Sequence, residues 1–398
     1  MYPEYNQVHE FIKTASLLMK TNKTMQDIFT LICEKNAKKV AVEYYNIKGK
    51  LKHYKYKKMK VNVISFASTI SNILKADGLH QPVALKMANS QHWIEIFWAL
   101  LMAGYKPLLI DARLSKEGTA NILTQSHAIG IVADDVYTYD VTKISSDDII
   151  DTKSEHIVQP VWENEVIFCS SGTTGDVKLM IYNGEAICHQ ICCSLNLAEE
   201  TRHIMYPDKH GRIKILAMIP FHHIFGFVAV FLWYTFYGKT LVFPTAITPT
   251  EIQKVCLKAG VTHVYSVPLF WDSLALNIKR KVDLLDTEKK ELFAKFMDYN
   301  LGTISKKEAG KAGWEITRSI IQKLLLGPKI RFAISGGGFL SRETATTINS
   351  LGYPLCNGYG MTEIGVTSVE LSGDVNERLK CSIGHPFYGV EYKIKENH

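Results

Sequence analysis

The residues CSSGTTGDVK, at positions 169–178, place small hydroxyl side chains and glycines directly before a lysine. Gly172 and Gly175 let the backbone approach an anion closely, because glycine has no Cβ. The other donors are the side chains of Ser170, Ser171, Thr173, Thr174 and Lys178. Hydroxyls, backbone amides and a lysine are groups with which proteins bind phosphate. The stretch therefore predicts a phosphate-binding loop, with a polar turn that binds no ligand as the alternative.

The runs beside this loop, EVIFC before it and KLMIY after it, are strand-like, so we expect the loop to join two strands of a hairpin. A Walker loop has the pattern G-x-x-x-x-G-K-[ST] and leads into a helix. Here the two glycines are too close together, and Leu179 follows the lysine. The spacing argues against a P-loop of the kinase or ATPase kind.

Two later clusters also contain groups that bind nucleotides. AISGGGFLS places Gly336, Gly337 and Gly338 between a predicted strand and a predicted helix. Ligands of open α/β sheets bind at the carboxyl ends of strands. NGYGMTE then supplies the side chains of Asn357, Tyr359, Thr362 and Glu363. An aromatic ring, an amide, a hydroxyl and a carboxylate suit an adenine ring, its amino group, a phosphate and Mg²⁺.

The elements that must position these clusters alternate between short apolar runs and amphipathic segments. The strand-like runs are PVALKMA, PLLID, GIVAD, HVYSVP, KIRFAIS and VEYKI. Ser90 and Ser341 are predicted N-caps, and Gly104 and Gly352 are predicted C-cap glycines. The pattern predicts an α/β protein with largely parallel sheets. The uncharged stretch 215–237 is interpreted as a strand, a polar turn and a buried helix rather than a membrane span.

Taken in this order, SSGTTGxxK, PFHHIFGF, the glycine triplet and NGYGMTE resemble the adenylate-forming (AMP-binding) superfamily. A charged helical insertion runs from KVDLLDTEKKELFAKF to SIIQKLLLGPKIRFAISGG, and it is most similar to the long-chain fatty acyl-CoA synthetase branch. The resemblance implies an acyl-CoA synthetase-like N-terminal domain, with two layered α/β subdomains and the start of a small distorted β-barrel. The expected divisions are 1–160, 161–330 with the phosphate loop and helical insertion, and 331–398 with the adenine-binding strands. The superfamily's C-terminal domain, with its second lysine, is expected to be absent.

The resemblance also implies a role for each motif residue. Residues 170–175 and Lys178 would hold the β- and γ-phosphates of ATP, and Thr173 with Glu363 would hold Mg²⁺. Thr362 would contact the α-phosphate and Tyr359 would stack on adenine. The glycine triplet with Asn357 and Gly358 would frame the base and the acyl entrance. His223 would stand beside the substrate carboxylate. The motif departs from the family pattern at Val177 and Leu179, which leaves the stiffness of the loop in doubt.

The implied reaction is attack of a carboxylate on the α-phosphate of ATP, followed by transfer of the acyl group to coenzyme A or a phosphopantetheine thiol. A fatty acid is the favoured substrate, and an aryl or other small acid is the alternative. A nucleotide-binding domain without turnover is a further alternative. The expected partners are a small carboxylic acid, ATP and an acyl carrier protein, without nucleic acid.

Composition limits the remaining possibilities. The formal charge of +7 includes many lysines in YYNIKGKLKHYKYKKMK, which is either a solvated surface hairpin or a surface for polyanions or anionic lipid. We therefore expect no transmembrane segment but allow peripheral membrane contact. The eight cysteines lie in apolar or helical contexts and no secretory leader is apparent, so a cytoplasmic location is expected.

Overall fold

The computed structural model describes residues 3–75, 78–152, 159–171, 177–200, 212–310 and 325–393. The chain forms two compact units. The first unit comprises Lys13–Cys192 and Ile219–Phe243. The second comprises Met1–Ile12, Cys193–Met218 and Pro244–His398. The predicted divisions near residues 160 and 330 stay predictions.

The first unit contains a six-stranded sheet with the order β6-β5-β3-β4-β7-β8. Its strands are β3 (Pro82–Lys86), β4 (Lys106–Leu109), β5 (Gly130–Ala133), β6 (Thr142–Ile144), β7 (Glu165–Ser171) and β8 (Val177–Asn183). All neighbours pair in parallel except β7 and β8, which are antiparallel. A second group of strands in this unit has the order β10-β1-β2, formed by β1 (Val40–Tyr45), β2 (Leu51–Lys55) and β10 (Thr240–Phe243). The predicted parallel α/β architecture is confirmed for this unit.

The helices of the first unit cover its sheets. They are α2 (Met25–Asn36), α3 (Tyr56–Leu74), α4 (Gln91–Met102), α5 (Lys116–Gln125), α6 (Ser146–Asp151) and α8 (Trp233–Phe236), the last preceded by a π-helical segment, Gly226–Leu232. Two further helices, α1 (Pro3–Met19) and α7 (Gly184–Glu200), have residues in both units. Helix α4 is buried along most of its length, and Trp93, Phe97, Phe227 and Phe231 are almost fully buried in one aromatic cluster.

The second unit contains strands in the order β15-β14-β13-β12-β11-β9. They are β9 (Lys214–Leu216), β11 (His263–Ser266), β12 (Phe332–Ser335), β13 (Leu355–Met361), β14 (Gly365–Val369) and β15 (His385–Pro386). The pairs from β9 to β13 are parallel, whereas β13, β14 and β15 pair antiparallel. The helices are α9 (Pro249–Val255), continued by a π-helical segment Cys256–Gly260, then α10 (Pro268–Asp283), α11 (Thr287–Asn300), α12 (Arg342–Ser350) and α13 (Val375–Arg378).

The predicted helix ends are confirmed. The Ser90 hydroxyl accepts the backbone N–H of Trp93 at 3.1 Å, and the Ser341 hydroxyl accepts that of Thr344 at 3.1 Å. Gly104 and Gly352 have φ angles of +87° and +79°, the left-handed geometry of a residue that follows a helix. Each cap satisfies backbone groups that a helix end leaves unpaired.

Two predictions about apolar runs have opposite outcomes. The stretch 215–237 forms part of β9, a turn and a buried helical segment, as expected. Among the described residues, no helix has both the length and the apolar content needed to cross a membrane. The strand predicted for VEYKI is wrong over residues 390–393, which pair with no strand. Pairing on β14 ends at His385–Pro386, and a turn follows in which Val390 N–H donates to the Phe387 carbonyl at 2.9 Å.

Candidate functional site

The predicted phosphate loop starts and ends at the mouth of the β7–β8 hairpin. Ser170 faces Lys178 and Ser171 faces Val177 across the antiparallel ladder. Residues 172–176, which include Gly172, Thr173, Thr174 and Gly175, lie outside the described residues. The hairpin that the flanking runs predicted is confirmed, and it sets Ser170 and Lys178 beside each other at the base of the loop.

Ser170 and Lys178 lie on one face of the sheet, and the alternation of side chains along a strand shows which face it is. Cys169, Val177 and Leu179 pack against the buried core cluster that contains Ile122 and Leu123 of α5. Their neighbours along each strand point to the opposite face. Phe168 is on that opposite face, and its ring contacts Phe227 with a centroid distance of 5.1 Å. The base of the loop therefore lies on the side of the sheet where the segment PFHHIFGF packs.

Asn89, which follows β3, holds the turn at the start of PFHHIFGF. Its Nδ2 donates to the Ile219 carbonyl at 2.7 Å, and its Oδ1 accepts the Phe221 N–H at 2.9 Å. Gly226 packs so closely behind this turn that a Cβ there would lie 2.3 Å from the Pro220 carbonyl oxygen. Only glycine fits such a contact without displacement of the backbone. The turn is thus fixed by the hydrogen bonds of Asn89 and by the close packing of Gly226.

This turn carries two histidines next to an aspartate from the end of β4. His222 Nε2 lies 3.1 Å from His223 Nε2 and 3.6 Å from Asp111 Oδ2. Arg113 binds the same carboxylate through Nε at 3.1 Å and Nη2 at 2.9 Å. A carboxylate favours a proton on the nitrogen it faces, so we infer that His222 carries its proton on Nε2 and donates a hydrogen bond from there to Nε2 of His223.

The electrostatics keep the histidine pair neutral near neutral pH. Burial, and then the neighbouring His223, lower the pKa of His222 from 6.5 to about 4, although Asp111 opposes the change. The pKa of His223, which keeps an exposed edge, is also lowered, mainly because the protein displaces part of its hydration. Partial burial raises the pKa of Asp111, but the hydrogen bonds from Arg113 outweigh it and bring the value to about 2. A neutral imidazole at His223 can donate a hydrogen bond to an anionic ligand.

The second unit brings the later motifs to the carboxyl ends of three parallel strands. Ser266, Ser335 and Asn357 lie side by side in register on β11, β12 and β13. The Ser335 hydroxyl is fully buried and makes no hydrogen bond among the residues that the structure describes. The glycine triplet comes directly after Ser335, and Gly336 N–H donates to the Ser266 carbonyl at 3.1 Å. The carboxyl ends of these strands thus combine the Ser335 hydroxyl with glycine backbone that carries no side chains. Such an arrangement is suited to a planar polar ligand.

The remaining groups of the triplet and of NGYGMTE lie around this edge. Gly337 has a φ of +79°, and a Cβ at Gly338 would lie 3.3 Å from a Pro268 side-chain atom. Asn357 is buried, and its Nδ2 donates to the Cys381 carbonyl at 2.8 Å. A Cβ at Gly358 would lie 3.2 Å from side-chain atoms of Ile334 and Val369, so the chain is closely packed there.

The Tyr359 ring is accessible for stacking. It is 42% exposed and lies edge-on to Tyr392, with ring centroids 6.4 Å apart. Tyr392 is itself fixed, because its hydroxyl is hydrogen-bonded to the Thr367 hydroxyl at 2.7 Å and to the Ser368 hydroxyl at 3.0 Å. The partly exposed ring of Tyr359 thus lies beside a tyrosine that hydrogen bonds hold in place, and an exposed aromatic ring can stack on a flat ligand.

Thr362 and Glu363 lie in the turn between β13 and β14, and Glu363 is exposed. The part of the chain that the structure describes contains no group of three or more His, Cys, Asp or Glu residues that could hold a metal. Mg²⁺ is commonly bound by one or two carboxylates together with substrate phosphates and water. One exposed carboxylate beside a hydroxyl fits that kind of binding, in which the nucleotide supplies the other ligands.

Sequence reasoning missed several residues that shape these groups. Asp111 ends the strand-like run PLLID, but nothing there showed that it would face His222, a residue 111 positions later. The pattern Asp-x-Arg was the available signal, since the Arg113 side chain folds back on Asp111. Asn89 and Tyr392 belong to none of the motifs that the sequence analysis used. The functional roles assigned to the predicted site residues stay predictions.

A comparison with known protein families decides the family. The model of the AMP-binding enzyme family matches residues 29–398. The chain belongs to the AMP-binding enzyme family. The resemblance predicted from the motifs is therefore confirmed over nearly the whole length of this AMP-binding chain.

The AMP-binding chain is similar to named proteins from several organisms. It is 25% identical over 194 residues to the long-chain-fatty-acid–CoA ligase 2 of Schizosaccharomyces pombe, an alignment that covers 47% of this chain and 28% of that protein. It is 21% identical to a chloroplastic long-chain-fatty-acid–[acyl-carrier-protein] ligase of Arabidopsis thaliana, and here 96% of this chain aligns with 61% of that protein. The chain thus spans only part of the length of these relatives.

A solved structure shows the same fold. The N-terminal subdomain of Klebsiella oxytoca NpsA, in complex with 3-hydroxyanthranilyl-AMSN, aligns with a TM-score of 0.66 at 14% identity. The alignment covers 92% of this chain and 80% of that subdomain. The mixed α/β fold expected for the large N-terminal domain of adenylate-forming enzymes is therefore confirmed.

Proposed function

We propose that this chain takes part in the ATP-dependent activation of a carboxylic acid to an acyl-adenylate, whose acyl group then passes to a thiol. The observation that carries the proposal is the base of the phosphate loop. Ser170 and Lys178 face each other there, on the side of the sheet where the histidine turn packs. A lysine and hydroxyls that can bind phosphates, on the same side of the sheet as a neutral imidazole that can bind a carboxylate, supply what this reaction needs.

In this proposal, side chains of the first unit offset the negative charge of ATP and hold the substrate carboxylate in position. The Lys178 ammonium binds phosphate oxygens of ATP and reduces their repulsion toward the incoming carboxylate. His223 donates a hydrogen bond to the carboxylate, while Asp111 and His222 hold its ring in position. Adenylation needs little proton transfer, so correct placement of the two reactants provides most of the rate enhancement.

The second unit supplies the groups proposed for the base and the metal. Tyr359 stacks on the adenine ring, and the glycine triplet with Asn357 and Gly358 lies along its edge. Thr362 contacts the α-phosphate. Glu363 would hold Mg²⁺, together with Thr173 of the phosphate loop. Mg²⁺, when bound, offsets charge on the phosphate oxygens.

A fatty acid is the acid that we propose, because the two relatives named above are ligases of long-chain fatty acids. An aromatic acid is the alternative, because NpsA has a 3-hydroxyanthranilyl compound bound. The apolar residues after His223 do not help to choose, since Phe227 and Phe231 are fully buried core side chains.

The acceptor in this proposal is the thiol of coenzyme A or of a carrier protein's phosphopantetheine. The name of the Schizosaccharomyces pombe relative includes CoA, and that of the Arabidopsis thaliana relative includes the acyl carrier protein. All eight cysteines are free thiols, which supports a reducing compartment such as the cytoplasm.

Calorimetric titration of the chain with Mg-ATP and then with a non-hydrolysable dodecanoyl-adenylate analogue tests the proposal. An intermediate of the reaction should bind far more tightly than ATP, because it fills the acid and nucleotide positions together. A benzoyl-adenylate analogue distinguishes the aromatic alternative. If both acyl analogues bind no more tightly than AMP, the chain does not activate acids of these two classes.

The Lys178→Ala variant tests the phosphate loop itself. We expect Mg-ATP to bind at least about tenfold more weakly, because a charge-assisted hydrogen bond to phosphate is lost. The matched control is Lys20→Ala, which removes an exposed lysine from the same unit. Equal affinities in the two variants would show that Lys178 does not contact the nucleotide.

A further inference from the structure

The first unit carries a strongly basic surface that the proposed reaction does not use. Ten lysines between residues 35 and 60 are exposed: Lys35, Lys38, Lys39, Lys48, Lys50, Lys52, Lys55, Lys57, Lys58 and Lys60. None of them has an ion-pair partner among the residues that the structure describes. We call these lysines the basic surface.

Little negative charge offsets the basic surface. The acidic residues between positions 34 and 60 are Glu34 and Glu43. The Glu43 side chain is only 1% exposed, and it pairs with His53 at 3.0 Å. Glu34 is therefore the single exposed carboxylate in this stretch of the chain. Ten exposed lysines against one exposed carboxylate in this stretch give it a strong excess of positive charge, which favours an anionic partner.

The fold brings the lysines together from three elements. The turn after α2 is tied to the start of α3, because Tyr56 N–H donates to the Lys39 carbonyl at 3.2 Å and Lys57 N–H donates to the Ala37 carbonyl at 3.1 Å. Strand β2, which carries Lys52 and Lys55, pairs with β1 and ends the order β10-β1-β2. Its end joins α3 directly. The lysines thus follow one continuous edge of the unit.

An isoleucine stands at the tip of the hairpin, beside this edge. Ile47 is fully exposed, with 103% of its reference surface accessible. The turn below it is tight, since Gly49 N–H donates to the Asn46 carbonyl at 2.8 Å and Lys50 N–H donates to the Asn46 side chain at 2.9 Å. A tight turn that presents one large apolar side chain next to Lys48 and Lys50 has the chemistry of a membrane-surface contact, in which an apolar group enters the headgroup layer and lysines face lipid phosphates.

We propose that the basic surface binds an anionic lipid bilayer, with Ile47 inserted among the headgroups. Lysines on an edge strand can instead serve only to prevent pairing with another chain. That explanation accounts for Lys52 and Lys55, which lie on β2, and leaves the other eight lysines and Ile47 unexplained. An acidic protein is a third partner that would use the charge but would not need the exposed isoleucine.

Co-sedimentation with vesicles tests the proposal. The full chain is mixed with vesicles of phosphatidylcholine alone or of equal parts phosphatidylcholine and phosphatidylserine. We expect binding to the anionic vesicles only, and binding that weakens as salt is added, because the screening length at 0.1 M salt is about 10 Å. The triple variant Lys48→Gln, Lys50→Gln, Lys52→Gln should bind at least about tenfold more weakly, since each basic residue near an anionic surface contributes about fivefold.

The matched control is the triple variant Lys290→Gln, Lys295→Gln, Lys307→Gln, which removes the same charge from exposed positions of the second unit. It should bind anionic vesicles like the unsubstituted chain. The Ile47→Ser variant should bind about tenfold more weakly at every salt concentration, because it loses only the apolar contact.

Equal binding by the two triple variants would overturn the proposal, and so would equal binding of the unsubstituted chain to both kinds of vesicle. Retention on immobilised polyglutamate without binding to anionic vesicles would assign the surface to an acidic protein instead. If the triple variant of the basic surface aggregates but binds vesicles normally, the lysines protect the edge strand and the lipid assignment is wrong.

Discussion

The buried His222 is expected to make the folded chain less stable in mild acid. Burial and His223 lower its pKa from 6.5 to about 4. An unfolded chain therefore takes up a proton at this histidine near pH 6.5, whereas the folded chain resists protonation until about pH 4. Between these values, protons favour the unfolded state. Stability is thus unaffected above about pH 6.5 and falls as the pH drops toward about 4.

The size of the effect follows from the same two values. A pKa difference corresponds to about 1.4 kcal/mol per pKa unit, so the complete fall from 6.5 to about 4 corresponds to roughly 3 to 4 kcal/mol of unfolding free energy. The side chain of His222 is only 9% exposed, so solvent screens it little. Asp111 does not obscure the effect, because its pKa of about 2 places its own titration at lower pH.

The perturbation that isolates this effect is His222→Gln, which removes the titrating group and keeps an amide near the Nε2 position. Urea unfolding would be followed by tryptophan fluorescence at several pH values between about 7 and about 4. Trp93 is a suitable probe, since its ring centroid lies 5.2 Å from that of Phe221, the neighbour of His222. The variant should lose about 2–3 kcal/mol less than the unsubstituted chain over this range.

The control is His127→Asn, because His127 is exposed and its φ of +53° is a conformation that asparagine tolerates. Its pH dependence should match that of the unsubstituted chain. If His222→Gln also matches, His222 is not held neutral by the fold, and the inferred hydrogen bond from His222 to His223 loses its basis.

Two further predictions concern the nucleotide and the histidine turn. Glu363→Gln should weaken Mg-ATP binding roughly tenfold and leave AMP binding unchanged, because it removes a charged oxygen from a metal ligand but no base contact. Titration with both nucleotides measures this, and equal losses would rule out the metal role. Gly226→Ala should cost about 3 kcal/mol of unfolding free energy, since its Cβ would lie 2.3 Å from the Pro220 carbonyl oxygen. Gly302→Ala, which has open space around it, should cost only about 1 kcal/mol in urea unfolding; equal costs would contradict the packing argument.

The sequence was informative wherever the signal is local. Strands such as β11 and β12 are short apolar runs followed by glycine or proline, and the helix after β12 begins at Ser341, whose side chain caps it. The hairpin around the phosphate loop was predictable for the same reason, because both flanking runs have strand character and the residues between them favour a turn. Local chemistry was sufficient for these elements.

Contacts between distant positions were not predictable in this way. Asp111 and His222 meet because β4 ends beside the turn that Asn89 holds, and no short stretch of sequence contains that relation. The failed strand at 390–393 makes the same point. Its alternating residues have the right pattern, but a strand needs backbone pairing with a neighbour, and the turn that follows Phe387 ends the pairing with β14. An alternating sequence pattern alone does not show which strand a segment will pair with.

The hydrogen bond between Asn357 and Cys381 determines which way the amide of Asn357 is turned. One N–H of the amide donates to the Cys381 carbonyl at 2.8 Å, so the amide cannot flip without loss of that bond. The oxygen and the second N–H of Asn357 therefore keep fixed positions on β13. A shift of the segment around Cys381 would release the amide, so the pattern of donor and acceptor on β13 depends on a carbonyl 24 residues away.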